Sequence, residues 1–115
     1  MKRGDVFWAE LAPRSGSEQS GRRPVVVVSN DGFNRVEAWR SVIVAPLSTS
    51  PSQRRRGPTV IGLPKGTAGL RQESIVLCHQ VTTLDRAKLV ARIGELSHTT
   101  LERVDEGLRT ALALA

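Results

Sequence analysis

The sequence predicts a mainly β fold, a small β-barrel or curled sheet with a helix appended at its C-terminal end. Three observations carry that expectation. Short β-branched runs recur between turn-forming residues, Pro24-Val25-Val26-Val27-Val28 is apolar on both faces, and only the last segment has clear helical periodicity. At 115 residues the chain reads as a single domain, 1–115, able to remove roughly two-thirds of its unfolded surface from water without disulfides.

In the first segment Val6, Trp8 and Leu11 are expected to face one way, with Asp5, Phe7 and Glu10 off that rhythm. Residues 13–21 follow as a Gly/Ser-rich stretch containing Gly16-Ser17-Glu18-Gln19, rich enough in hydrogen-bonding groups to suit a binding loop. The valine run reads as a central strand buried on both faces, with Pro24 placed at its start. Ser29-Asn30-Asp31 closes that strand, and 33–39 has room for one helical turn. Val42-Ile43-Val44-Ala45-Pro46-Leu47 is the next strand, and Pro46 is expected to take the chain out of regular pairing. That leaves Ser48-Thr49-Ser50 at the strand's mouth.

A polar loop with Arg54-Arg55-Arg56 leads to a strand over 59–63, and Gly66 to Gly69 turn the chain again. Two strand-like stretches, 74–78 and 81–84, flank His79-Gln80. Asp85 can cap a short turn through Lys88, and Ile93-Gly94-Glu95-Leu96 adds a last edge strand. The terminal helix is marked by Thr99 and Glu102 at capping-box spacing. Leu101, Val104, Leu108 and Leu112 form its apolar stripe, while Asp105 and Arg109 are spaced for an i,i+4 pair. Trp8 and Trp39 read as core or interface anchors, since isolated indoles make a weak stacking platform.

Seventeen Lys and Arg against eleven Asp and Glu leave a charge of +6, so polyanions are natural partners. Aromatics at 3% with no Tyr argue against a binding face built of rows of stacking rings. The single cysteine, Cys78, reads as a small buried filler, and with two histidines there is no zinc-ligand spacing. No apolar signal core follows Lys2-Arg3 and no long apolar run occurs, which implies a soluble, cytoplasmic protein without a membrane partner.

Several segments together carry a family resemblance. They are Arg3-Gly4-Asp5-Val6-Phe7-Trp8, Gly16-Ser17-Glu18-Gln19, Arg23-Pro24-Val25-Val26-Val27-Val28-Ser29-Asn30-Asp31, Val44-Ala45-Pro46-Leu47-Ser48, Gly69-Leu70 and Gln80 with Thr83-Leu84-Asp85. In this order, and with the striped final helix, the chain resembles the MazF/PemK toxins over essentially its whole length. The resemblance implies a Src-homology-3-like, PemK-like barrel, a homodimer, sequence-selective cleavage of single-stranded RNA, and restraint by the C-terminal peptide of an acidic, MazE-like antitoxin. It implies that Arg23 is catalytic and that Ser48, or the adjacent Thr49, supplies the catalytic hydroxyl. Gln80 matches a base-contacting position and Ser74 another position in the substrate groove, while Glu18 and Gln19 shape a loop over it. His79 departs from the pattern, where a carboxylate is commoner, which leaves the base preference open.

Those residue types suit cleavage without a metal or cofactor. The 2′-hydroxyl of the substrate is the nucleophile, so the protein need only orient it and stabilise the crowded phosphorane. A guanidinium stays protonated and offers a planar fork to two phosphate oxygens. Ser48 fits better as a hydrogen-bond donor than as a nucleophile, and His79 is the nearby group with a useful unperturbed pKa. Arg54, Arg55 and Arg56 could lie along the RNA backbone, although such a run is as often only a solvated surface. Two rivals share this fold: a CcdB-like poison of DNA gyrase, and an RNA-binding regulator without cleavage.

Overall fold

A computed structural model describes residues 1–11, 21–50 and 57–115. The Glu18-Gln19 loop and the Arg54-Arg55-Arg56 run lie outside the described residues. Seven strands form one antiparallel, curled sheet: β1 (Asp5–Leu11), β2 (Gly21–Val27), β3 (Ser41–Ser48), β4 (Val60–Leu63), β5 (Ser74–Leu77), β6 (Thr82–Asp85) and β7 (Leu89–Glu95). The order is β4-β5-β3-β2-β1-β7, with β6 paired to β3. Helix α1 (Asp31–Asn34) follows β2, and α2 (His98–Leu112) ends the fold.

The valine run lies in β2, hydrogen-bonded to β1 on one edge and β3 on the other. Pro24 is the fourth residue of that strand rather than its first, opposite Trp8. Pairing with β3 begins only at Val25, so the proline interrupts no ladder there. Pro46 likewise stays in register, opposite Val25. The expected departure from pairing is instead a change of partner, because Leu47 and Ser48 pair with Val76 and Ile75 of β5. The last strand starts at Leu89, four residues before the expected segment, and β1–β7 register shifts on either side of Phe7-Trp8 add twist.

Both faces of the curled sheet are covered. Val6, Val26, Ala45, Leu47, Leu63, Val76, Cys78 and Val104 form a core under α2, and Ala9, Leu11, Val25, Val27, Val42, Val44 and Leu84 form a second on the other face. Leu11 therefore belongs with Phe7 and Ala9, opposite Val6, as a period of two requires. Trp8 is 39% and Trp39 49% exposed, so neither is a core anchor, and Trp39 stacks on Phe33 at 5.3 Å. The sheet closes by packing, with β7 against the turn Thr67–Gly69: a Cβ on Gly94 would come within 2.2 Å of the Ala68 carbonyl oxygen.

Arg3-Gly4-Asp5 acts as a clasp. The Arg3 amide donates to Asp31 Oδ1 at 2.6 Å, its Nε to the Val28 carbonyl at 2.9 Å, and its Nη2 to Asp105 Oδ1 at 2.6 Å. Asp105 thus pairs with Arg3, across the fold, while Arg109 pairs with Glu106; the expected Asp105–Arg109 pair is not formed. Helix α2 is capped by Ser97, whose Oγ accepts from the Thr100 amide, instead of by Thr99. Val104 is fully buried, Leu101 and Leu108 are half-buried, and Leu112 at the helix end is exposed. Asp85 caps the turn Arg86–Lys88 through the Ala87 amide, as its position implied.

Gly107 lets α2 approach the sheet, since a Cβ there would lie 2.7 Å from Cys78 Sγ and 3.2 Å from Ile61. Burial pushes the Cys78 thiol up to about 11, helped by the charge of Asp105, so it stays protonated at neutral pH. We expect Gly107→Ala to destabilise by about 1–3 kcal/mol through overpacking, despite the better helix propensity of alanine. In the Cys78→Ala background the same substitution should cost clearly less, which denaturant unfolding of the four proteins measures.

Candidate functional site

Register places two of the expected site residues together. Arg23 and Ser48 each lie two residues beyond the paired Val25 and Pro46, on adjacent strands. Side chains alternate along a strand, so both turn to the side occupied by Val25, Val27 and Val44. Arg23 is exposed and Ser48 largely buried at the strand end, its Oγ accepting from the Ser50 amide at 3.0 Å. An exposed guanidinium and a hydroxyl that accepts from the backbone thus share one side of the neighbouring strand ends.

Thr49 and Pro24, one residue on, fall to the opposite side of the sheet. There they line an open groove of about 480 Å³ with Trp8, Arg71, Ser74 and Arg92 among the other walls. Alternation therefore separates the two candidate hydroxyls: Ser48 shares the side of Arg23, and Thr49 faces the groove. Ser74 starts β5 next to Ile75, the partner of Ser48, and its Oγ donates to the Gln72 carbonyl at 3.0 Å.

His79 and Gln80 lie at the other end of β5, in the turn Cys78–Gln80. The exposed His79 ring meets Thr59 Oγ1 through Nδ1 at 3.1 Å, and Thr59 ends the turn that directly follows the Arg54-Arg55-Arg56 segment. The structure thus brings Arg23, Ser48, Thr49 and Ser74 to one end of the strands and sets His79 and Gln80 apart from them.

Three groove residues were missed from sequence: Trp8, Arg71 and Arg92. Arg92 is opposite Phe7, and its Nη2 is held by the buried carboxylate of Asp5 at 3.2 Å and lies 3.9 Å from Glu95 Oε2, so carboxylates largely balance its charge. Only the pairing of Trp8 with Pro24 and Ala91, which follows from register, reveals that the indole lacks cover. Among the described residues no carboxylate lines the groove, and Arg71 gives it a cationic wall. Among the described residues no group of three His, Cys, Asp or Glu side chains is arranged to hold a metal. No helix of the described residues is long and apolar enough to cross a membrane.

Comparison with known proteins places the chain in a family. Residues 2–112 match the model of the PemK-like, MazF-like toxins of type II toxin-antitoxin systems. The chain is 39% identical over 114 residues to the endoribonuclease EndoA of Bacillus subtilis strain 168, covering 99% of this chain and 96% of that protein. Among solved structures, a mycobacterial endoribonuclease in complex with its cognate antitoxin superposes with a TM-score of 0.80 at 27% identity, over 100% of this chain and 97% of that one. MazF of Deinococcus radiodurans superposes with a TM-score of 0.79 at 25% identity, over 98% and 96% of the two chains. The chain belongs to the PemK/MazF family of type II toxin-antitoxin toxins.

Proposed function

We propose that this toxin is an endoribonuclease that cuts single-stranded RNA, mRNA above all, at a short sequence, without a metal or cofactor. The observation that carries the reading is the shared side of Arg23 and Ser48 on the neighbouring ends of β2 and β3. The family and its endoribonuclease relatives support it.

In this mechanism the ribose 2′-hydroxyl attacks the adjacent phosphorus, the P–O5′ bond breaks, and the products are a 2′,3′-cyclic phosphate and a 5′-hydroxyl. Arg23 binds two phosphate oxygens and gains most as charge develops on the phosphorane. Ser48, whose Oγ already accepts from the Ser50 amide, donates its hydrogen to the phosphate. Thr49, Ser74, Glu18 and Gln19 contact the RNA around the cut, and Gln80, at the far end of β5, contacts it further along the strand. His79 stands beside the base of the Arg54-Arg55-Arg56 loop and meets RNA entering there. The active species is a homodimer in the cytoplasm, and the acidic C-terminal peptide of an antitoxin competes with RNA for the basic surface, in keeping with the toxin-antitoxin complex of the mycobacterial relative.

Incubation with RNA in chelator, followed by mapping of the new 5′ ends, tests the reading and supplies the cleavage sequence. Intact RNA together with inhibited gyrase would favour the CcdB-like rival. A substrate with a single 2′-deoxy nucleotide at the cut should bind and stay whole; if it is cut at the normal rate, 2′-hydroxyl attack is wrong. Arg23→Ala should lower the cleavage rate by about two to three powers of ten, with RNA binding reduced far less. If Arg54, Arg55 and Arg56 each neutralise a phosphate, they contribute a log–log salt slope of about −2, so that fourfold more salt weakens binding roughly twentyfold. Replacing all three with glutamine should remove that share of the slope.

A further inference from the structure

The groove beyond Pro24 and Thr49 lends Thr49 and Ser74 to the reading above, and its other walls are also built like a binding site. Trp8 is 39% exposed in a strand whose neighbouring residue on the same face, Val6, is fully buried. Its ladder partners, Pro24 and Ala91, are too small to cover an indole. Arg71 stands in the same wall and offers its planar fork of donors to an anion, whereas the Arg92 guanidinium is engaged by Asp5 and Glu95. Hydroxyls of Thr49 and Ser74 complete the lining.

From this juxtaposition of a bare indole with a guanidinium, we propose that the groove is a subsite for one nucleotide flanking the cut, its base stacked on Trp8 and its phosphate held by Arg71. The proposal rests on the nuclease reading and extends it. A base offers the planar π-face that the ring needs, and its phosphate the charge that Arg71 needs; an acidic peptide offers only the second. The volume, about 480 Å³, falls within the range of small-ligand sites. Because the groove and the Arg23–Ser48 pair lie on opposite sides of the same strand ends, RNA must cross that rim to reach both. The stacked nucleotide is therefore a neighbour of the scissile phosphate, and Trp8 is a determinant of binding rather than of the chemical step. A single platform for one base is compatible with so few aromatic residues.

The test uses the full-length protein and a short RNA carrying the mapped cleavage sequence with a 2′-deoxy nucleotide at the cut. Trp8→Ala should weaken its binding by one to two powers of ten and Trp8→Phe by only a few-fold. On cleavable RNA, Trp8→Ala should raise KM and leave kcat near that of the wild type. An abasic nucleotide at one flanking position should cost the wild type the same factor and cost Trp8→Ala nothing further. In a Trp39→Phe variant, which leaves Trp8 as the sole indole, RNA should quench the emission; this readout stands even if Trp8→Ala folds poorly. Unchanged emission, unchanged affinity of Trp8→Ala, or a full additional abasic penalty in that variant would overturn the subsite while leaving cleavage by the wild type intact. So would a loss confined to binding of an acidic antitoxin peptide. Intact RNA with the wild-type protein in chelator would bring down the nuclease reading and the subsite with it.

Discussion

Strand β3 changes partner along its length, and the rest of the site depends on that change. On one edge it is hydrogen-bonded to β2, with Val25, Val26 and Val27 facing Pro46, Ala45 and Val44; on the other, β6 pairs with Ser41 to Val44 and gives way to β5 at Leu47 and Ser48. Pro46, which offers no amide hydrogen, stands at the changeover. Where β3 leaves β2, the end of β2 loses a neighbour on that edge, and Arg23 is left exposed over the gap. Ser48 is drawn into pairing with Ile75 and buried. An exposed cation and a largely buried hydroxyl thus stand at one strand end.

Elsewhere the basic residues are spent on holding the fold. Arg3 ties the start of β1 to α1, to the end of β2 and to α2. Its amide and the Asn34 side chain hold the Asp31 carboxyl below the usual carboxylate range. Arg86 binds the loop after α1, donating to the carbonyls of Phe33, Asn34, Val36 and Trp39, and so positions the exposed Phe33–Trp39 stack. Such arginines bring little to polyanion binding, because their donors are already satisfied. Arg3 and Arg86 therefore add less to a polyanion-binding surface than the net charge of +6 suggests.

The local part of this architecture was legible in the residues. Valine runs named the central strands, turn residues separated them, and Asp85 marked its own cap, because each depends on neighbours a few positions away. What depends on register was not legible. The cap of α2 illustrates this: Ser97, Thr99 and Thr100 all offer a hydroxyl, and the choice falls to Ser97 because Leu96 is buried with its amide donating to the Gly4 carbonyl. Asp105 had Arg109 four residues away, yet Arg3, 102 positions distant, takes it. Arg23 and Ser48 could be singled out only through the family resemblance, since nothing local distinguishes a rim arginine or a strand-end serine from a structural one. Trp8 escaped for the opposite reason: an indole in a strand reads as core, and only its small partners leave it bare.

The central claim is that Arg23 and Ser48 act on one phosphodiester as a unit. A double-mutant cycle of Arg23→Ala and Ser48→Ala, read as single-turnover cleavage at saturating RNA, measures that coupling most directly. Residues that work together on one transition state are strongly non-additive, so the double variant should be little slower than the worse single variant. Rate losses that multiply as those of independent sites, or a Ser48→Ala variant as fast as the wild type, would contradict it.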